Sequence, residues 1–228
     1  MRNRFLSITL TGALAALTLL SSSCGDDPKA FLRVVHASPD APNVDVLVDG
    51  KTVLTDVAYG TGSDYLKVKA GSRKIEVRAT GTSDDVINVT VTLDKNNYYT
   101  ALATNFLANI APLLLTDDHT APPSGQVKAR LVHAAPSAPS VDIYVVAPGT
   151  DITTVSPTVS NLAFATASSY LTVPAGSYQV LITPTGTKDI AIDTGSLSLA
   201  DGQIRTGVAL DAPGGGAPFS ALLLKDLN

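Results

Sequence analysis

Apolar and polar residues alternate one for one through much of the chain. In residues 86–93 (VINVTVTL), Ile87, Val89, Val91 and Leu93 fall on one side and Asn88, Thr90 and Thr92 on the other. In residues 73–79, Ile75 and Val77 alternate with Lys74, Glu76 and Arg78. A period of two is the mark of a half-buried strand. Turn-forming clusters punctuate these runs: Asp49-Gly50, Ala70-Gly71-Ser72, Thr80-Gly81-Thr82 and residues 94–97. No segment after residue 24 carries a convincing helical period.

The pattern is written twice. Residues 31–46 (FLRVVHASPDAPNVDV) and 128–143 (KARLVHAAPSAPSVDI) agree at 9 of 16 positions. Residues 63–82 and 168–187 agree at 10 of 20, and the offset grows from 97 to 105 between the two blocks. The second copy therefore carries eight extra residues, placed at 147–157 around Pro148-Gly149. Both copies end on a leucine triplet, 113–115 and 222–224. Seven or eight short strands per copy predict an all-β chain of two tandem immunoglobulin-like antiparallel β-sandwich domains, with a small barrel as the competing architecture. The expected division is a signal segment 1–23, a tether 24–30, a first repeat 31–116, a linker 117–127 and a second repeat 128–228. The shared motif HA[SA]PxAPxVD, followed by YLxVxAGS and TGT, resembles the bacterial family catalogued as domain of unknown function 4397. The resemblance covers nearly all of the chain after the signal. It implies an exported β-sandwich module, often in tandem, and brings no reaction, ligand or catalytic residue with it.

The first residues break the strand pattern. Arg2 and Arg4 precede an apolar run at 5–20, short of the about 20 residues that span a bilayer as a helix. Ser21, Ser22 and Ser23 then lead to Cys24. This reads as an export signal. It resembles a bacterial lipoprotein signal, although Ser21 stands where that pattern more often has leucine. The resemblance implies lipid attachment at Cys24, a membrane anchor of several acyl chains and a place in the cell envelope. Gly25 after the cysteine is similar to the enteric pattern for outer-membrane sorting, wherever the source has such a membrane. Six residues from Gly25 to Ala30 reach about 20 Å at most, which would hold the first repeat close to the bilayer.

Composition narrows the chemistry. Lys and Arg number 16 against 20 Asp and Glu, a net charge of −4. Loss of residues 1–23 removes Arg2 and Arg4 and takes the balance to 14 − 20 = −6. Nucleic acid is not an expected partner of so acidic a chain. A single cysteine excludes a disulfide scaffold. A structural zinc site usually needs four Cys/His ligands, which would take every cysteine and histidine in the chain, and Asp117-Asp118-His119 has no further ligand near it in sequence. No metal and no cofactor are expected.

His36 and His133 occupy matching strand ends, and Asp45 and Asp142 follow nine residues later. Pro39 and Pro42, and Pro136 and Pro139, shape the loops between them. A His–Asp pair could be half of a catalytic triad or of a metal site. It could equally be structural, with the imidazole donating to carbonyls of a donor-poor proline loop. No serine sits in a GxSxG setting, and the structural reading is adopted: no catalytic residue is assigned. Lys67, Lys69, Arg73, Lys74 and Arg78 form a basic hairpin in the first copy only, a candidate contact for an anionic surface or else a solvated face that blocks edge pairing. Residues 213–218 (PGGGAP) read as a flexible inter-strand loop. Sugar binding would have to use Tyr98, Tyr99, Tyr144 or Tyr178, since there is no tryptophan. The sequence therefore points to a lipid-anchored, non-catalytic binding or structural module that presents its sandwiches to an envelope protein or polymer partner. An envelope hydrolase and a carbohydrate-binding protein are the alternatives.

Overall fold

The computed structural model describes residues 27–228. The signal segment and Cys24 lie outside the described residues. Seventeen strands and two short 3-10 turns, at residues 107–109 and 152–154, make up the regular structure. The first repeat holds β1 (Lys29–Ala37), β2 (Val44–Val48), β3 (Lys51–Val57), β4 (Leu66–Lys69), β5 (Gly71–Ala79), β6 (Asp85–Leu93), β7 (Tyr98–Thr104) and β8 (Ala111–Asp117). The second holds β9 (Gln126–His133), β10 (Val141–Val146), β11 (Val159–Leu162), β12 (Thr166–Ala167), β13 (Leu171–Pro174), β14 (Gly176–Pro184), β15 (Ile192–Leu199), β16 (Ile204–Leu210) and β17 (Ser220–Leu227).

Each repeat is a sandwich of two sheets. In the first, β4-β1-β7-β8 faces β3-β2-β5-β6. In the second, β9-β16-β17 with β12 and β13 on the free side of β9 faces β11-β10-β14-β15. Pairing is antiparallel throughout, except that β1 runs parallel to β7 and β9 parallel to β16. The sandwich architecture is the expected one, and this parallel pair at the same place in each repeat departs from a purely antiparallel sheet.

The two sandwiches stack through their β1- and β9-containing sheets, giving four layers. This explains a sequence feature that alternation alone leaves unaccounted for. Strand β6 alternates cleanly because one face meets solvent, whereas β1 (KAFLRVVHA) is buried from Leu32 to Ala37. Leu32 and Val34 fill the first sandwich's own core, while Val35 and Ala37 join Val132, Ala134, Val208 and Leu224 of the second repeat. A strand covered on both faces reads as a continuous apolar run. The leucine triplets divide in the same way: Leu113, Leu115, Leu222 and Leu224 pack between the repeats, and Leu114 turns into the first core.

Candidate functional site

The repeated histidines lie at the ends of β1 and β9, fully enclosed at 0% and 1% exposure. His36 Nε2 is 3.0 Å from the Pro42 carbonyl and His133 Nε2 is 2.9 Å from the Pro139 carbonyl. Their Nδ1 atoms accept from the amides of Ser38 and Ala135. Each ring thus spans a loop bent by its proline pair and ties the loop's two ends together. Burial pulls both imidazoles below the ordinary value, more than the proline carbonyls raise them. The aspartates face elsewhere. Asp45 accepts from the Asp56 amide and the Thr80 hydroxyl, and Asp142 from the amides of Asn161 and Gly186. The structure does not bring either histidine onto its aspartate.

The basic hairpin is divided between two sheets. Lys67 and Lys69 lie on the edge strand β4, and Arg73, Lys74 and Arg78 on β5. Asp27 pairs with Lys69, Asp49 with Arg73, Glu76 with Lys74, and Glu76 and Asp85 with Arg78. Lys67 alone of the five has no ion pair among the described residues. Of the tyrosines considered for sugar stacking, Tyr99 and Tyr144 are buried at 4% and 1% exposure, so neither offers a platform. Tyr98 lies stacked between Phe31 and His119. Asp117 and Asp118 bind Arg130 and Lys128, and no cluster of metal-ligating side chains occurs among the described residues. The 213–218 loop is docked rather than free. Gly214 donates to the Pro39 carbonyl at 2.7 Å, and Gly215 lies so close to Phe106 that a Cβ would sit 2.7 Å from its ring.

Two constellations escaped the sequence reading. One is a buried polar clasp between the repeats, built from matched residues. Arg33 donates to Asp226 of the second repeat at 2.6 Å and to Thr100. Reciprocally, Arg130 donates to Asp117 of the first repeat and to Thr206. Thr100 and Thr206 each donate to the aspartate of their own repeat at 2.6 Å, as do Tyr65 and Tyr170 at 2.7 and 3.0 Å. The guanidinium of Arg33 lies over Tyr65, and that of Arg130 over Tyr170, both under 5 Å from the ring centre. Burial first, and the neighbouring aspartate second, push both tyrosine pKa values far up. The identity of Arg33 with Arg130, each flanked by apolar neighbours (Leu32 and Val34, Ala129 and Leu131), was the available signal.

The other constellation is a cavity of about 440 Å³ between the two sheets of the second sandwich. Its walls include Leu131, Ile143, Val180, Ile182, Leu199 and Phe219. It opens beside the edge strands β15 and β17, where Leu223 is 47% exposed. Comparison of the repeats explains it. Arg33 opposes Thr100 and Arg130 opposes Thr206, which fixes the matching positions. Leu32 in the first core is then replaced by Ala129, Ala101 by Gly207 and Tyr99 by Arg205. Where Val89 opposes Ile75, the β14–β15 ladder slips at Thr194 and Gly195. Small side chains at matched core positions leave the space that the first repeat fills.

This arrangement leaves enclosed space for a ligand in the second sandwich. No helix among the described residues is long and apolar enough to cross a membrane. Comparison with curated proteins finds no match. Among solved structures, the chain is similar to family 41 carbohydrate-binding modules from streptococcal virulence factors at 12% identity, covering 84% of this chain and 96% of that one, with a TM-score of 0.27. It is similar to a family 26 module from Eubacterium rectale at 10% identity, covering 87% and 98%, with a TM-score of 0.25. It also matches a leucine-rich repeat protein from Bacteroides thetaiotaomicron at 16% identity and a TM-score of 0.23, covering 84% of this chain but spanning only 27% of that protein. Scores this low assign no ligand. The family comparison is of another order, because one model matches residues 30–144 and again 146–228. The chain belongs to the family described as Domain of unknown function (DUF4397), in two successive copies.

Proposed function

We propose that this protein is a non-catalytic binding module of the cell envelope, held to a membrane through Cys24, with its ligand site in the cavity of the second sandwich. The observation that carries this reading is the cavity itself. Its volume lies within the range of small-molecule sites, about 300–1,000 Å³, and it is lined as such sites are, by apolar side chains with few polar groups. The engagement of each motif histidine and aspartate with its own loop favours binding over hydrolysis. The resemblance of residues 1–24 to a lipoprotein signal supports the envelope location. Partnership with a second envelope protein or polymer, through exposed loops or edge strands, would be additional to the cavity.

The test is titration with N-phenylnaphthylamine, a neutral fluorophore that brightens in apolar surroundings. Saturable binding at one probe per chain is expected. Absence of saturable enhancement would overturn the reading.

A further inference from the structure

Three charged residues line the cavity: Arg130, whose guanidinium is engaged by Asp117 and Thr206, Asp193, which is exposed and accepts from Gln179 and the Gly195 amide, and Arg205. Along β16, Thr206 and Val208 face the first repeat, while Arg205, Gly207 and Ala209 line the cavity. Four steps along the strand lead from Arg205 to Ala209, about 13 Å of wall. Arg205 is only 7% exposed, yet no carboxylate lies within ion-pair distance of it among the described residues. Its Nη1 donates to the carbonyls of Ile204 and Leu227 at 3.0 and 2.9 Å, which leaves Nε and Nη2 free to donate to a ligand or to water. Asp226, the acid whose charge reaches it, is occupied by Arg33, Thr206 and Tyr170. The matching residue of the first repeat, Tyr99, is an ordinary core side chain whose hydroxyl accepts from the Asp94 amide.

A buried cation without a counter-ion is costly, and a core has no structural need for one where a tyrosine serves. An anion entering the cavity would offset that cost through charge-assisted hydrogen bonds, for which the planar guanidinium suits a carboxylate. The remaining walls are mainly apolar, with Tyr178, Asp193, Thr194 and Ser220 the polar exceptions, and suit a hydrocarbon chain. We propose that the cavity takes a free single-chain carboxylic acid, its alkyl chain along the walls of β9, β14 and β16 and its carboxylate on Arg205. This rests on the cavity being the ligand site, and it names the ligand's chemistry. Desolvation also pulls the Arg205 pKa below its ordinary value.

The test displaces bound N-phenylnaphthylamine with dodecanoic acid and, separately, with dodecanol of the same chain length. At neutral pH the acid is expected to displace the probe at concentrations roughly tenfold lower than the alcohol, a difference of about 1.4 kcal/mol. Arg205→Leu should abolish that preference and leave probe binding intact, and Arg205→Lys should keep part of it. Equal displacement by acid and alcohol from the unaltered protein would overturn the carboxylate assignment while leaving the cavity as the site. Failure of the probe to bind at all would overturn both. The acid-versus-alcohol comparison needs no variant and stands even if Arg205→Leu does not fold.

Discussion

Arg33 and Arg130 sit near the middle of strands whose neighbouring residues are apolar, and each takes its partners from both repeats, although the Arg130 Nε is left unpaired. Arg33 and Asp226 are 2% and 0% exposed at their side chains. A buried pair of this kind contributes little compared with a well-packed apolar pair, yet removing one partner strands the other charge. Arg33→Met is therefore expected to lower unfolding free energy by about 3–5 kcal/mol, measured by denaturant titration, and the Arg33→Met/Asp226→Leu double variant should recover much of the loss. An additive double variant would contradict the clasp. The histidines predict a pH dependence. Both folded-state values lie below the ordinary 6.5, so the unfolded chain binds the extra protons first. The stability from neutral His36 and His133 is present above pH 6.5 and is lost as pH falls below it. Melting curves from pH 7.5 downward should show this slope, and it should flatten in the His36→Gln/His133→Gln variant.

At the scale of elements, the outer strands could be read directly and the inner ones could not. Strand β6 alternates because one face meets water, so period two located it. Strands β1 and β9 are covered on both faces, which erased the alternation and with it any sign that a second sheet lay against them. The repeat register, the turns and the β-sandwich class were legible in local sequence. The clasp was not, because it depends on which sheets stack, and no local pattern encodes that. The cavity was encoded in the replacement of Leu32 by Ala129, but a missing side chain is a signal only once the register of two cores is known. The same comparison yields a prediction for the first sandwich. Leu32 is completely buried in its core, so Leu32→Ala should cost about 2–5 kcal/mol, read as a lowered midpoint in denaturant. A loss below 1 kcal/mol would mean that the core already resembles the second one, or collapses freely around the change.

As a whole molecule, the chain is a pseudo-symmetric dimer joined into one polypeptide. Each repeat presents the same face to the other, an arginine meeting an aspartate in both directions, as in an isologous interface. The first repeat alone, residues 27–117, is therefore expected to pair with a second copy of itself, Arg33 finding Asp117 across the interface. Sedimentation should then report a dimer at micromolar concentration; a stable monomer would contradict this account of the interface. Duplication also allowed the copies to diverge. The first has the filled core and most of the charge, while the second has the smaller core side chains and Arg205. One filled and one hollow sandwich in tandem define the molecule, and the most direct measurement is the probe titration repeated on Ala129→Leu, which restores the side chain of the filled core. Wild-type protein should bind one N-phenylnaphthylamine per chain, and Ala129→Leu should lose that binding while melting at a higher temperature. Undiminished binding in a folded Ala129→Leu protein would contradict the claim.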